Sequence, residues 1–453
     1  MSAAILTPIL TLAKRFGVDK SIAYSSGARV VQAFTGLASV FLVAAFLTKT
    51  EQGFYYTFGS LVAIQVFFEL GLSNIITQYV AHEASRLTWR DAKTLEGELK
   101  SLSRLAHLVK FSVRWYAIIG MLFFLVLLAA GYWFFSYYSH TDEPVSWIIP
   151  WILVCIGSAG SLFMAPILAI LFGLEKVKEV SKMRFIQQCI IPLVTWTCLI
   201  CDFRLYALGL SYVASMLFSV IYCVGTGLAP IVWRLWREQV TERVVYMKEI
   251  FPYQWKIALS WVSGYFIFQL FNPVLFATEG AVVAGQMGMT LVVINGIMAF
   301  SQNWITTKIP LWSKLIALKD YAGLDRIFNT TMRQVSVVCL GLIAVMLAGI
   351  GMLRVLDLKL GDRFLDWLPM ILMLIPLYVN QWVNGWATYL RCHKQEPFLL
   401  NSIVGGVMCC LSALVLGRAF GVIGLTAGYC AITVILSFWG HHIYVTCKRA
   451  WHG

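Results

Sequence analysis

The chain has 453 residues, 59% of them hydrophobic, with a mean hydropathy of +0.76 and a formal net charge of +13. Soluble domains keep apolar usage near half, so this composition excludes a soluble enzyme or binding module and leaves a polytopic membrane protein. The cations lie in short loops between apolar runs, which is the pattern that orients membrane proteins and not that of a nucleic-acid surface.

The segment Met1–Leu12 is apolar, but Lys14, Arg15 and Lys20 follow it instead of preceding it, so it reads as a short interfacial helix and not a cleaved signal. Two long apolar stretches come next, Ile22–Leu47 and Phe54–Val80, joined by the turn Thr48–Gly53. Each exceeds the roughly 20 residues that span the hydrocarbon layer as a helix. Each also carries one internal charge, Arg29 and Glu69. A charge at the bilayer centre costs about 2.5–3.5 kcal/mol on insertion scales, so such groups face an interior, a cavity or each other. In an antiparallel hairpin the two lie at similar depth. For Arg29 the bland alternative is snorkelling to the headgroups; the shorter Glu69 side chain has less of that option.

Ala81–Lys110 carries Leu95, Leu99, Leu102, Ala106 and Val109 at helical spacing among Lys93, Glu96, Lys100 and Arg104, which predicts an amphipathic surface helix. Spans three to six follow at Phe111–Tyr138, Ser146–Phe172, Phe185–Cys201 and Leu205–Ala229, with a basic loop at Gly173–Arg184. Pro230–Phe251 is again amphipathic and reads as a linker. Spans seven to twelve lie at Tyr253–Thr278, Gly280–Thr307, Gln334–Leu356, Asp366–Leu390, Phe398–Gly417 and Gly421–Thr446, with a basic loop at Lys308–Arg333. Pro273 should kink span seven. The expected fold is therefore all-α and polytopic, with twelve transmembrane helices. The domains are an N-terminal lobe over 1–229, a linker over 230–251 and a C-terminal lobe over 252–453.

With the N-terminus placed in the cytoplasm, 28 of the 35 lysines and arginines fall inside and 6 outside, Arg29 being the last. That bias predicts cytoplasmic termini. A shift of about 227 positions sets the loop pattern of the first half on the second. It brings Glu51–Gly53 near Glu279–Gly280, Arg29 near Lys256 and Glu69 near Asn295. Two like-oriented lobes would enclose a cavity between them. The eleven cysteines sit mostly inside apolar runs, as small hydrophobes do. Cys198 and Cys201 form a CxxC that lacks the partners of a zinc site. No metal or cofactor is expected.

Gly53-Phe54-Tyr55, Glu69-Leu70-Gly71-Leu72 and the polar end Asn74–Tyr79, set in this twelve-span plan, resemble the polysaccharide and O-antigen flippases of the multidrug/oligosaccharidyl-lipid/polysaccharide (MOP) exporter superfamily. The resemblance implies a MATE-like fold in a bacterial inner membrane. It also implies transfer of an undecaprenyl-pyrophosphate-linked oligosaccharide to the periplasmic leaflet by alternating access, with a polysaccharide polymerase and a chain-length regulator as possible partners. Such a substrate needs cationic walls for its pyrophosphate, and Arg29, Lys256 and Lys308 stand near the expected cytoplasmic entrance. Its sugars need amides and flat rings. Asn380, Asn384 and Trp382 in span ten offer them, with Gln269 and Asn272 in span seven and Gln286, Asn295 and Gln302 in span eight. The plain alternatives are that these amides glue helices together, and that Trp386 and Tyr389 belong to an interfacial belt and the lysines to positive-inside anchors.

Two rivals stand. A drug or cation antiporter of the same superfamily would carry an acid in its first span, where this chain has only Arg29. An integral-membrane enzyme acting on lipid-linked sugars would want a large outer loop or clustered His, Asp and Arg, and neither is evident. A scaffold would leave Glu69 unexplained.

Overall fold

The computed structural model describes residues 35–452 apart from 37, 92, 139–143, 243 and 394; for Lys248, Pro252, Tyr253, Lys256, Ile257 and Ser260 it describes the backbone alone. Most of the first predicted span, Arg29 included, lies outside these residues. The described chain is a succession of helices. After a helical stretch ending at 46 come α1 (Lys49–Val62), α2 (Gln65–Glu69), α3 (Leu72–Ala84), α4 (Leu99–Tyr138), α5 (Ile148–Gly173), α6 (Val177–Ile200), α7 (Tyr206–Gly225), α8 (Ala229–Arg237) and α9 (Tyr246–Glu249). They are followed by α10 (Phe251–Phe268), α11 (Phe271–Glu279), α12 (Ala281–Ala317), α13 (Tyr321–Val355), α14 (Trp367–Arg391) and α15 (Leu399–His452).

Seven of these helices are long and apolar enough to cross a membrane, and α1–α2 with α3 form a broken eighth. The expected count of twelve differs because the first span lies mostly outside the described residues, α14 is less apolar than the seven, and α15 holds two predicted spans, joined at Gly421, where φ is +58°. Span seven is also divided, at Gln269 and Leu270. Pro273 explains that division: it has no N–H to give the carbonyl of residue 269, and its ring crowds that carbonyl.

Three loop predictions are corrected. The amphipathic helix over Ala81–Lys110 is instead a β-hairpin, β1 (Leu87–Asp91) and β2 (Thr94–Gly97), running into α4. Asp91 shapes its turn by accepting from the Lys93 backbone N–H at 2.7 Å and the Thr94 hydroxyl at 2.9 Å. Arg90–Glu96 and Arg86–Glu98 pair across it. Of the predicted stripe only Leu95 falls on the hairpin, where short-range turn chemistry and cross-strand pairs win; Leu99, Leu102, Ala106 and Val109 are helical, on α4. The basic loop at Gly173–Arg184 shrinks to three residues, and Arg184 lies in α6. The one at Lys308–Arg333 shrinks to Leu318–Asp320, because α12 runs on through Pro310.

The chain clusters into two compact units. One comprises residues 65–132 and 146–258; the other comprises 36–64, 133–145 and 259–452. In the first, α5 crosses α7 on small residues: a Cβ on Gly157 would stand 2.6 Å from the backbone of Tyr212. The N-terminal part of α4 holds the segment before α9. Ser103 Oγ accepts from the N–H groups of Thr241 and Glu242 at 2.7 and 2.8 Å, and Arg104 donates to Glu83 and Glu249 at 2.8 and 2.6 Å.

In the second unit α1 crosses α12 so closely that a Cβ on Gly53 would fall 1.9 Å from the carbonyl oxygen of Ala281. Beside that crossing Phe54, Phe58, Phe135 and Phe276 stack with ring centroids about 5 Å apart. Such offset and edge-on pairs add about 0.5–1.5 kcal/mol each beyond their area. A second core joins α12 to α15 through Trp312, Phe328, Tyr389 and Tyr444.

Candidate functional site

Two polar features interrupt the apolar helices, one in each unit. The first surrounds Glu69. This residue ends α2, and the next two, Leu70 and Gly71, have φ of +48° and +71° before α3 begins at Leu72. A left-handed leucine costs roughly 1–2 kcal/mol, so the break is held by its surroundings. Broken helices of this kind carry substrate and ion sites in secondary transporters. One turn into α3, Ser73 shares a 2.9 Å hydrogen bond with the hydroxyl of the fully buried Tyr116 of α4. The charge of Glu69 acts on Tyr116 and on Arg184 of α6.

Glu69 is half-buried and Arg184 exposed. Among the described residues neither side chain has a hydrogen bond or an ion pair. The guanidinium stands 5.9 Å from the ring centroid of Phe172. Glu69, Ser73, Tyr116 and Arg184 thus form an acid–hydroxyl–cation group on helices that cross the bilayer. The expected partner of Glu69, Arg29, lies outside the described residues. The cation that the structure does place in its field was assigned to a loop from sequence, because its helix begins with the polar run Val177–Met183.

The second feature is a cavity of about 300 Å³ within the other unit, between α10, α12, α14 and α15. Asn380, Asn384, Asn401, Gln302, Ser402, Thr433 and Ser437 give it polar walls, and apolar side chains and Gly264 and Gly405 make up the rest. Among the described residues no charged side chain lines it. Asn380 is oriented by a 3.1 Å hydrogen bond to the Tyr429 hydroxyl, and Asn401 by one of 3.2 Å to the Leu436 carbonyl. The amide nitrogen of Gln302 is buried without a hydrogen-bond partner among the described residues. Helical spacing had brought Asn380 and Asn384 together; Asn401 and Thr433 were missed because single polar residues in an apolar run carry no pattern of their own.

The other predicted residues do not join this cavity. Asn272 is buried and donates to Ser60 Oγ at 3.0 Å, the role of helix glue, although its carbonyl oxygen is left without a partner among the described residues. Gln269 is half-buried at the break between α10 and α11. Asn295 is exposed on α12, where Gln286 instead binds the Asp362 carbonyl at 2.9 Å. Lys308 is half-buried within α12. The Lys256 side chain lies outside the description. Trp382 is only partly buried and packs with Trp386 on the α14–α15 aromatic core. Tyr389 is fully buried there, its hydroxyl bound to Asp325 at 2.8 Å, and so is no belt residue.

No protein-family model matches the sequence, and comparison with curated proteins finds no match. Solved structures do match. An inward-facing multidrug resistance MATE family transporter of the MOP superfamily aligns with a TM-score of 0.69 at 14% identity, covering 95% of this chain and 99% of that one. The MATE multidrug transporter DinF-BH, solved with a bound ligand, aligns at 0.56 and 11%, covering 95% and 96%. A mutant of the Vibrio cholerae MATE transporter VcmN aligns at 0.55 and 12%, covering 98% and 99%. These likenesses establish the fold: an all-α, multi-pass membrane architecture of the kind found in MATE transporters.

Proposed function

We propose that this protein is an ion-coupled exporter of drug-like amphipathic solutes. It works by alternating access between two six-helix lobes, in a bacterial inner membrane with both termini cytoplasmic. The observation that carries this reading is the uncharged cavity. Its volume, about 300 Å³, is at the small end of the range for pockets that hold drug-sized ligands. Its amides suit a solute with a few hydrogen-bonding groups on an apolar body. Glu69 supplies the coupling carboxylate: it is half-buried at a helix break, and no donor grips it among the described residues. Such a group can exchange a proton or cation without first breaking a strong bond. The likeness in fold to multidrug transporters supports the same reading.

A second reading, the lipid-linked oligosaccharide flippase implied by the sequence resemblance, is favoured by Arg184. This guanidinium is exposed and lacks an ion pair among the described residues, on a helix that crosses the bilayer, and its donor fork suits phosphate. A polymerase and a chain-length regulator would be partners on this reading alone.

Reconstitution separates the two. Proteoliposomes holding the purified protein should expel a cationic dye when a proton or sodium gradient is imposed, and the Glu69→Gln protein should not. Translocation of a labelled undecaprenyl-pyrophosphate oligosaccharide without dye movement would sink the first reading and establish the second.

A further inference from the structure

We propose that the unit formed by residues 65–132 and 146–258 carries a binding site for one anionic phospholipid. The site is separate from both polar features above. Its apolar part is a groove of about 820 Å³ between α4, α5, α7 and the amphipathic α8, lined among others by Val113, Phe163, Met216 and Val224. A second hollow, of about 390 Å³, shares Phe163 and continues along α4 past Ala117, Gly120 and Phe124. Residues 113, 117, 120 and 124 recur every three to four positions, so they lie on one face of α4.

The eleven steps from Val113 to Phe124 rise by roughly 17 Å at 1.5 Å per residue. That is about half of the roughly 30 Å hydrocarbon layer. The groove is therefore as long as one leaflet is deep, which suits a lipid chain and not a solute that must cross. Small residues make the room: the nearest atom to a Cβ on Gly120 would be the Ala159 carbonyl oxygen, at 3.8 Å.

The end at α8 supplies the headgroup chemistry. Arg114 lies 5.4 Å from the ring centroid of Trp236, and Arg237 lies 4.8 Å from that of Trp233. Both tryptophans line the groove. Both arginines are exposed, and among the described residues neither has a carboxylate partner. Their neighbours differ: Arg86, Arg90, Arg104 and Arg234 each face an acid within 4 Å. The two unneutralised guanidinium groups thus stand at the polar end of a leaflet-deep apolar slot. Each is carried on an indole, a ring that favours the membrane interface. Guanidinium groups pair well with phosphate oxygens, and basic residues near the membrane surface attract anionic lipids.

Native mass spectrometry of the full-length protein, released from nanodiscs of mixed phosphatidylglycerol and phosphatidylcholine, tests the assignment. One phosphatidylglycerol should be retained in preference to phosphatidylcholine. An Arg114→Gln/Arg237→Gln protein should lose that preference at least tenfold, with unchanged elution on size exclusion. Gly120→Leu, which fills the slot and leaves the charges, should lower retention of the same lipid. Equal retention of the two lipids, or retention unaffected in the double variant, would overturn the proposal. So would recovery of a polyprenyl-linked sugar in place of phosphatidylglycerol.

Discussion

Arg104 holds the buried carboxylate of Glu83 at 2.8 Å through its Nε, and a second nitrogen of the same guanidinium reaches Glu249 at 2.6 Å. One side chain on α4 therefore ties the end of α3 to α9. Replacing Arg104 by Met leaves Glu83, only 4% exposed, without its counter-charge. The loss of one partner of a buried pair costs about 3–5 kcal/mol. The variant should show a clear fall in melting temperature, followed by size exclusion in detergent; Arg104→Lys should lie between it and the parent. Burial works to raise the pKa of Glu249, but the Val245 backbone N–H and Arg104 outweigh it and hold the group below its ordinary value of 4.5. A carboxylate depressed in the fold stabilises it fully above pH 4.5 and loses that contribution as the pH falls through the lower folded value. Glu249→Gln should therefore flatten the acid limb of the stability curve. An unchanged limb would contradict this.

The close crossing of α1 and α12 makes a sharp comparison within one helix. Gly53→Ala would press a methyl into the Ala281 carbonyl, backbone against backbone, with no flexible end to yield. Small residues at helix crossings in membranes permit just this approach. Gly59 lies on the same helix, and a Cβ there would have nothing within 4 Å. Gly59→Ala should be neutral or stabilising by up to about 0.8 kcal/mol from helix propensity. Gly53→Ala should reduce the yield of monodisperse protein several-fold. Equal behaviour of the two would refute the packing.

How far the sequence could be read divides along physical lines. The apolar lengths were legible, because hydropathy and helix length are local properties; the break after Glu69 was not, and Phe54–Val80 reads as one span. Helix ends were not. α6 and α12 run several residues past the limits that charge suggested, since Arg184 and Lys308 remain on the helix where hydropathy alone reads loop. Asn380 and Asn384 are placed together by period alone. The role of Asn272 depends on Ser60, more than 200 positions away, and no local pattern reveals that. Trp386 and Tyr389 fit a belt by composition, yet the neighbouring rings of Phe328 and Tyr444 draw Tyr389 into a core.

The cavity offers a substitution that changes space without disturbing packing. Gly264 lines it, and a Cβ at that position would have nothing within 4 Å. Gly264→Leu should fill part of the volume and improve helix propensity by somewhat less than about 1 kcal/mol. The melting temperature should hold or rise, while dye efflux from proteoliposomes falls at least tenfold. Asn384→Leu removes an amide and should raise the apparent KM of substrates with hydrogen-bonding groups more than that of apolar ones. Full efflux by Gly264→Leu would show that the solute does not use this cavity.

Glu69 and Arg184 provide the test of whether the intramembrane charges act as one device. They lie on different helices, and the charge of one acts on the other without a direct bond among the described residues. If the two charges serve one step, neutralising either residue disables that step. Losses from Glu69→Gln and Arg184→Gln should then fail to multiply, and the double variant should transport about as poorly as the worse single. Coupled neighbours show interaction terms of about 0.5–3 kcal/mol in such cycles, against a few tenths for independent sites. The measurement is initial efflux rate for all four proteins at matched reconstitution. Rates whose losses multiply would mean that the two charges serve separate steps, with Arg184 then the candidate for substrate contact and Glu69 alone for coupling.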